Sequence, residues 1–317
     1  MKKLMLAVLA GAISVSLIGS GAESASAAGK SKQVEVLLNT IKMKFPDAKP
    51  FQDAQGSVMV PIRFVSEALG AKVSYSKEGK VSKVGVYSKD HKVDMTIGQT
   101  SALVDGQKKD YGTQIILKQN RTFVPLRLVS EGLGEKVEWD KIGRWVWIGN
   151  KNFRSTDDKG FKLTKLSDFK AYTKTKDIFE NWEGEKYSGV KIIEETDLPI
   201  QLGNGQVIYS LDLVKIKKAR LEMVEVRSDA RGKPAAFLIK NGYAKMRQVL
   251  DAAFINNGDK TGMNHYPILS TVDKFATGKY VESDNSWMNF KISQADYILF
   301  EDSNLKSYAV VLVNPFK

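Results

Sequence analysis

Ile62, Val65 and Leu69 fall at i, i+3 and i+7, and so do Leu126, Val129 and Leu133, the spacing of one apolar stripe on a short helix. Pro61 and Pro125 suit a first helical turn, where no N–H is needed, and Gly70 and Gly134 suit the left-handed residue that ends a helix. Each predicted helix of about two and a half turns is followed by an alternating strand (72–75, 136–139), a Lys- and Gly-rich turn (76–80, 140–143) and a second strand (84–87, 145–148). The resemblance between the two stretches is a duplication. Of the 16 positions from Val60 to Tyr75, ten are identical to those from Val124 to Trp139, at an offset of 64 residues. Each unit within 34–150 is therefore expected to be a small α+β module, one helix laid on an antiparallel sheet.

Residues 155–317 carry no such repeat. Alternating apolar positions predict strands over 200–202 and 207–209 around an Asn204-Gly205 hairpin signal, then over 221–227, 235–239, 297–300 and 308–313. Phe169, Tyr172, Phe179 and Trp182 suggest one amphipathic helix, and Met246, Val249, Leu250, Ala253 and Phe254 a second that ends at Asn256-Asn257-Gly258. The expected fold class is α+β throughout: two tandem helix-on-sheet repeats, then a second α+β domain rich in antiparallel strands. The expected division is 1–28, 29–154 and 155–317.

The first segment is read as a secretory signal peptide. Lys2 and Lys3 precede a mostly apolar run from Leu4 to Ile18, too short to span a bilayer, and Ala25-Ser26-Ala27 supplies a cleavage pattern. No later run is long enough to cross a membrane as a helix, so the expectation is a secreted chain, extracellular or wall-associated, without a transmembrane segment. The chain has no cysteine and two histidines, which removes disulfide scaffolds, thiolate chemistry and three-histidine metal sites. Cysteine-free export fits a Gram-positive bacterium. Charge then divides the chain. Residues 29–154 hold 22 Lys+Arg against 13 Asp+Glu, net +9, whereas 155–317 hold 24 against 22, net +2. A basic surface on an exported chain points to an anionic cell-wall polymer or glycan and away from nucleic acid, although lysines can also serve solubility alone.

The segment Asn120-Arg121-Thr122-Phe123-Val124-Pro125-Leu126-Arg127, with Ser130-Glu131-Gly132-Leu133-Gly134 and Val137-Glu138-Trp139-Asp140, resembles the copper amine oxidase N-terminal-like, or stalk, domain of secreted bacterial proteins. The first copy matches more loosely, with Tyr75-Ser76 where Trp-Asp is typical. The resemblance covers about 34–150. It implies an α+β accessory module of exported, surface or wall-associated proteins, without catalytic residues of its own. The oxidase itself is excluded, because it holds copper with three histidines and makes its cofactor from a Tyr in an Asn-Tyr context. This chain has only His91 and His265, and no Asn-Tyr pair. No cofactor and no metal site is expected.

Candidate chemistry is sparse. Trp145 and Trp147 share one side of a strand while Val146 and Ile148 share the other. Beside Arg144 the two indoles can stack sugar rings, or they can be core against the helix; the sequence leaves both open. Arg63 with Glu67, and Arg127 with Glu131, lie four apart in an order that opposes the helix dipole, which predicts a tertiary ion pair or backbone contact, or else a ligand. His91 reads as a solvated hairpin residue and His265 as a residue of a turn. Asn256 to Gly262 lacks the alternating ligands of a calcium loop and reads as a turn. Glu194 and Glu195 with Asp197, or Glu183 with Glu185, are the acidic pairs from which a glycoside hydrolase could be built. The expectation is a secreted, non-catalytic, envelope-associated protein whose repeats bind to or space it within an anionic wall. The rival is an extracellular hydrolase with a catalytic C-terminal domain targeted by the repeats.

Overall fold

The computed structural model describes residues 33–169, 179, 186–216, 221–229, 236–240, 243–247, 249, 254–269, 289–300 and 308–317. The expected signal peptide, Tyr172, Trp182, Glu183 and Glu185 lie outside them. The first part runs β1 (Glu35–Leu38), β2 (Ile41–Lys42), β3 (Phe51–Gln52), β4 (Val58–Pro61), α1 (Ile62–Ala68), β5 (Lys72–Glu78), β6 (Val81–Tyr87), β7 (Lys92–Thr96), β8 (Ser101–Val104) and β9 (Gln107–Asp110). It continues through β10 (Ile116–Lys118), β11 (Arg121–Pro125), α2 (Leu126–Gly132), β12 (Val137–Asp140) and β13 (Trp145–Ile148).

The expected α+β class is corrected here to a mainly β fold with several antiparallel sheets. The two α-helices found among the described residues are only seven residues long. Their punctuation explains the brevity. Pro61 and Pro125 belong to the incoming strands and cap the helices with extended backbone, so no helical turn precedes Ile62 or Leu126. At the other end Gly70 and Gly134 adopt φ of 74° and 83°. There the N–H of Ala71 donates to the Ser66 carbonyl and that of Glu135 to the Ser130 carbonyl, at 2.8 Å each, the paired closure of a Schellman motif. A Cβ on Gly70 would touch nothing within 4 Å, so Gly70→Ala isolates backbone strain. It is expected to cost about 1–2 kcal/mol, the left-handed penalty of an L-residue. Urea unfolding measures it, and a change inside about 0.5 kcal/mol would contradict the assignment.

The duplicated units are interlaced. β4 and β11 pair antiparallel with Val60 opposite Val124, so two residues 64 apart meet at the centre of a sheet ordered β10-β11-β4-β3. A pseudo-twofold axis passes through that pair. Val60, Val65, Val124, Leu128 and Val129 then share one buried cluster, so neither unit buries its helix alone. β1, from the start of the described chain, lies parallel to β13 and completes the second unit's sheet, β12-β13-β1-β2. The β1–β2 hairpin turns through Asn39 and Thr40 (φ 47° and 70°) and the β8–β9 hairpin through Asp105 and Gly106 (φ 50° and 81°). Positive φ at both central residues is the turn that matches strand twist. The first unit instead continues as an antiparallel meander, β5-β6-β7-β8-β9.

Beyond residue 155 come β14 (Leu163–Lys165), β15 (Gly189–Ile193), β16 (Ile200–Gln201), β17 (Val207–Ile216), β18 (Leu221–Asp229), β19 (Ala236–Lys240), β20 (Tyr243–Arg247), β21 (Ile255–Asn256), β22 (Thr261–Pro267), β23 (Tyr297–Phe300) and β24 (Tyr308–Val313). They form sheets ordered β14-β15-β24-β23-β19-β20 and β16-β17-β18-β22-β21. Pairing is antiparallel except between β15 and β24. The two sheets share a core that includes Ile200, Val224, Tyr266, Leu238, Ile298 and Val310. The strands predicted over this part are found, with Gly205 at φ 83° in the Asn-Gly turn. Of the helix predicted over Met246 to Phe254, Met246 is corrected to a strand position paired with Phe237 in the β19–β20 ladder, while Leu250 and Ala253 lie outside the described residues. At Met246 pairing with the edge of β19 outweighs the local 3.6-residue period.

Candidate functional site

The aromatic candidates are buried. β13 lies between β12 and β1, and both of its faces are covered. Val146 and Ile148 point into the shared core of the repeats. Trp145 and Trp147, each 3% exposed, point the other way, into a cluster with Leu37, Phe153 and Tyr209. Of the two readings left open for the indoles, burial in a core is what is found, but against Phe153 and Tyr209 and not against the helix, whose side is taken by Val146 and Ile148. The rings meet edge to face, at 5.6 Å for Trp145–Trp147, 6.1 Å for Trp147–Phe153 and 5.4 Å for Phe153–Tyr209. Tyr209 belongs to β17, so these indoles join the repeats to the second half, and of the two Trp145 also lines the cavity between the β1–β2 hairpin and β17, with Lys42 Nζ 5.5 Å from its ring centroid. Arg144 has φ of 54°, and its guanidinium sits 5.9 Å from the Trp139 ring centroid.

Beside that cluster Arg227 of β18 is buried with two carboxylates. It donates to Asp140, the last residue of β12, and to Asp259 at 2.8 Å, while its Nε donates to Thr261 Oγ1 at 3.2 Å. Its guanidinium also lies 5.0 Å from the Tyr209 ring centroid. Burial raises the Asp259 carboxyl, but the hydrogen bonds from Thr261 and the charge and donation of Arg227 outweigh it and hold that group below its ordinary range.

The helix pairs are local. Arg63 and Glu67 lie 3.9 Å apart and Arg127 and Glu131 3.4 Å apart, on the outward face of each helix. The expected tertiary partner is corrected, because that face looks to solvent, where an i,i+4 pair contributes only about 0.3–0.5 kcal/mol. His91 Nδ1 lies 2.9 Å from Asp105 Oδ2 between two hairpins. The turn expected at His265 is corrected to the middle of β22, where the ring is buried 2.9 Å from Glu225 directly across the ladder. Glu194 and Asp197 close a reciprocal cap on a short 3-10 turn, and Asp197 lies 3.4 Å from Arg154. Among the described residues no three of His, Cys, Asp or Glu gather as a metal site would require.

One exposed surface does gather complementary groups, on residues that sequence reasoning passed over. In the β5–β9 meander, Ser74, Gly85, Asp94, Leu103 and Lys108 stand opposite one another on successive strands, forming one row across the open face. Tyr87, two residues beyond Gly85 on the same face, reaches over the glycine, and a Cβ at position 85 would overlap the phenol. Its hydroxyl donates to Asp94 Oδ1 at 3.3 Å and accepts from Ser74 at 3.4 Å, and Lys92 Nζ sits 5.6 Å from the ring centroid. The side chain is 38% accessible. Lys83, Gln99, Ser101 and Lys108 border the depression, whose volume is about 440 Å³.

Donation to the Asp94 carboxylate raises the Lys92 ammonium, and the Gly112 N–H lowers Asp110, so both keep their charges across the neutral range. The signal available in the sequence was Val84-Gly85-Val86-Tyr87, whose alternation puts Gly85 and Tyr87 on one side. A glycine inside a strand marks a close approach. A second cavity of about 330 Å³, between the β1–β2 hairpin and β17, mixes Lys42 and Lys49 with Glu195 and Asp212.

No helix among the described residues is long and apolar enough to cross a membrane. No curated protein and no solved structure matches the chain. Residues beyond 148 match no family model. Residues 37–148, which contain the interlaced units, the open meander and its tyrosine, match the family model of the copper amine oxidase N-terminal domain.

Proposed function

We propose that the protein is exported, non-catalytic and associated with a Gram-positive cell envelope, its stalk-like repeats binding or spacing it within an anionic wall polymer. The observation that carries this reading is the concentration of positive charge, net +9 on 29–154 against +2 on 155–317, on a domain that presents an open, lysine-bordered sheet face. The match to a stalk-type N-terminal domain agrees with an accessory role. The rival hydrolase reading draws no support from Glu194 and Asp197, which are engaged with each other in a cap.

The test uses the full mature chain. Co-sedimentation with isolated Gram-positive walls is expected at low salt, and the bound fraction is expected to fall steeply as screening shortens from about 10 Å at 0.1 M to about 3 Å at 1 M. Walls stripped of anionic polymer should retain little protein. Binding that ignores both salt and stripping would remove the charge argument.

A further inference from the structure

We infer that the open face of the β5–β9 meander is a binding site for an acidic glycan, a chain of pyranose rings bearing carboxylates, with Tyr87 as the stacking platform. The inference deepens the proposed envelope function and rests on it for the class of polymer. The site itself is argued from its own geometry.

Three features define the ligand. The first is a flat ring. Because Gly85 has no side chain, the phenol end of Tyr87 reaches over the backbone of its own strand, and the residue stays 38% exposed with Lys92 Nζ over the ring at 5.6 Å. An aromatic face is electron-rich, and the axial C–H hydrogens of a pyranose carry the complementary partial charge. Leu103, 43% exposed and two strands away in the same row, adds an apolar contact beside it.

The second is hydroxyl recognition. Ser74, Gln99 and Ser101 line the same depression and offer donors and acceptors suited to sugar hydroxyls. The third is charge. Lys83 lies two residues along the strand from Gly85, and Lys108 lies three strand spacings across, about 14 Å at the usual separation. That reach, and a volume of about 440 Å³, suit a short oligosaccharide and fall within the usual size of ligand pockets. Lys83, which also pairs with Glu78 at 2.8 Å, and Lys108 flank a seat that holds Leu103, hydroxyls and Asp94, itself paired with Lys92 at 2.8 Å, and these flanking ammonium groups beside the tyrosine call for a ligand that has both rings and acidic groups. A bare polyanion would satisfy only the lysines, and a neutral sugar only the tyrosine.

The experiment is calorimetric titration of the full mature chain with trigalacturonate. Cellotriose (ring without charge), polyglutamate (charge without ring) and an oligothymidylate serve as comparison probes. Trigalacturonate is expected to bind at least about tenfold more tightly than cellotriose, a difference of about 1.4 kcal/mol. Tyr87→Ala should weaken trigalacturonate binding about tenfold at both low and high salt and leave polyglutamate unchanged. Lys83→Gln with Lys108→Gln should weaken it only at low salt.

Gly85→Ala keeps the tyrosine but lifts its ring, since φ at Gly85 is not in the left-handed region and the obstructing atom is the far end of a side chain. It should therefore mimic Tyr87→Ala without loss of folded structure, while Tyr87→Phe should stay within about threefold of the parent. Equal trigalacturonate affinity for parent, Tyr87→Ala and Gly85→Ala, or absence of binding by the parent, overturns the site. Tighter oligothymidylate binding overturns the ligand class. The two proposals separate cleanly. Salt-sensitive wall binding that Tyr87→Ala leaves intact keeps the envelope function and removes this site, whereas Tyr87-dependent trigalacturonate binding by a chain that ignores walls does the reverse.

Discussion

Arg227→Met is expected to destabilise the folded chain by about 3–5 kcal/mol, because it removes one partner of a buried ion pair and leaves the other charged. The Arg227 side chain is 3% exposed and that of Asp140 10%. Without the guanidinium, the Asp140 carboxylate has little water to turn to, although its other oxygen still accepts the N–H groups of Ile142 and Gly143 at 3.0 Å. Asp140→Asn keeps an acceptor for that turn and removes the charge. The double variant should therefore lose less than the sum of the two singles, and urea unfolding of all four proteins gives the coupling energy.

Asp259 adds a pH dependence to the same cluster. Its carboxyl is held below its ordinary range in the folded state, so its contribution is complete above the unfolded value of about 3.9 and is lost as pH falls through the lower folded value. Arg227→Met should flatten that acid limb. A loss below about 0.5 kcal/mol, or strict additivity with Asp140→Asn, would show that the contact between the halves contributes nothing to stability.

Much of the strand pattern was legible because it is local. The Gly70 and Gly134 helix ends and the Asn204-Gly205 turn each depend on neighbours within a few residues, and each is found where the pattern puts it. The fold class was misread where a local signal met a distant partner. Two seven-residue helices seemed the organising element of each unit, yet the units interlock through Val60 and Val124, and β1 crosses to complete the second sheet. Met246 looked helical until β19 paired with it.

The candidate surface was hidden for a similar reason. Ser74, Gly85, Asp94, Leu103 and Lys108 span 35 residues and become one row only when four ladders fall into register. A single strand reveals that Gly85 and Tyr87 share a side. It does not reveal that the side is open. For the tryptophans the converse held: alternation separated Trp145 and Trp147 from Val146 and Ile148, but only the covering of β13 on both faces decides that the indoles are interior.

That interior position sets the second large effect. Trp147→Ala is expected to cost about 3–5 kcal/mol, the range for truncating a buried aromatic whose surroundings relax only partly. Trp147 is 3% exposed and stands in the middle of the edge-to-face series from Trp145 through Phe153 to Tyr209. The cavity would therefore open on the seam between the repeats and β17, and Tyr209 would lose packing on the ring that also faces Arg227. Trp147→Phe retains an edge-to-face partner and should lose less. Both variants can be followed by urea unfolding. If Trp147 were a ligand platform, Trp147→Ala would fold with a change inside about 0.5 kcal/mol and fail only in binding. If it is core, trigalacturonate affinity measured on Trp147→Phe should equal that of the parent while stability falls. Folding loss with unchanged affinity assigns the indole to the seam, and affinity loss with unchanged folding would return it to the surface.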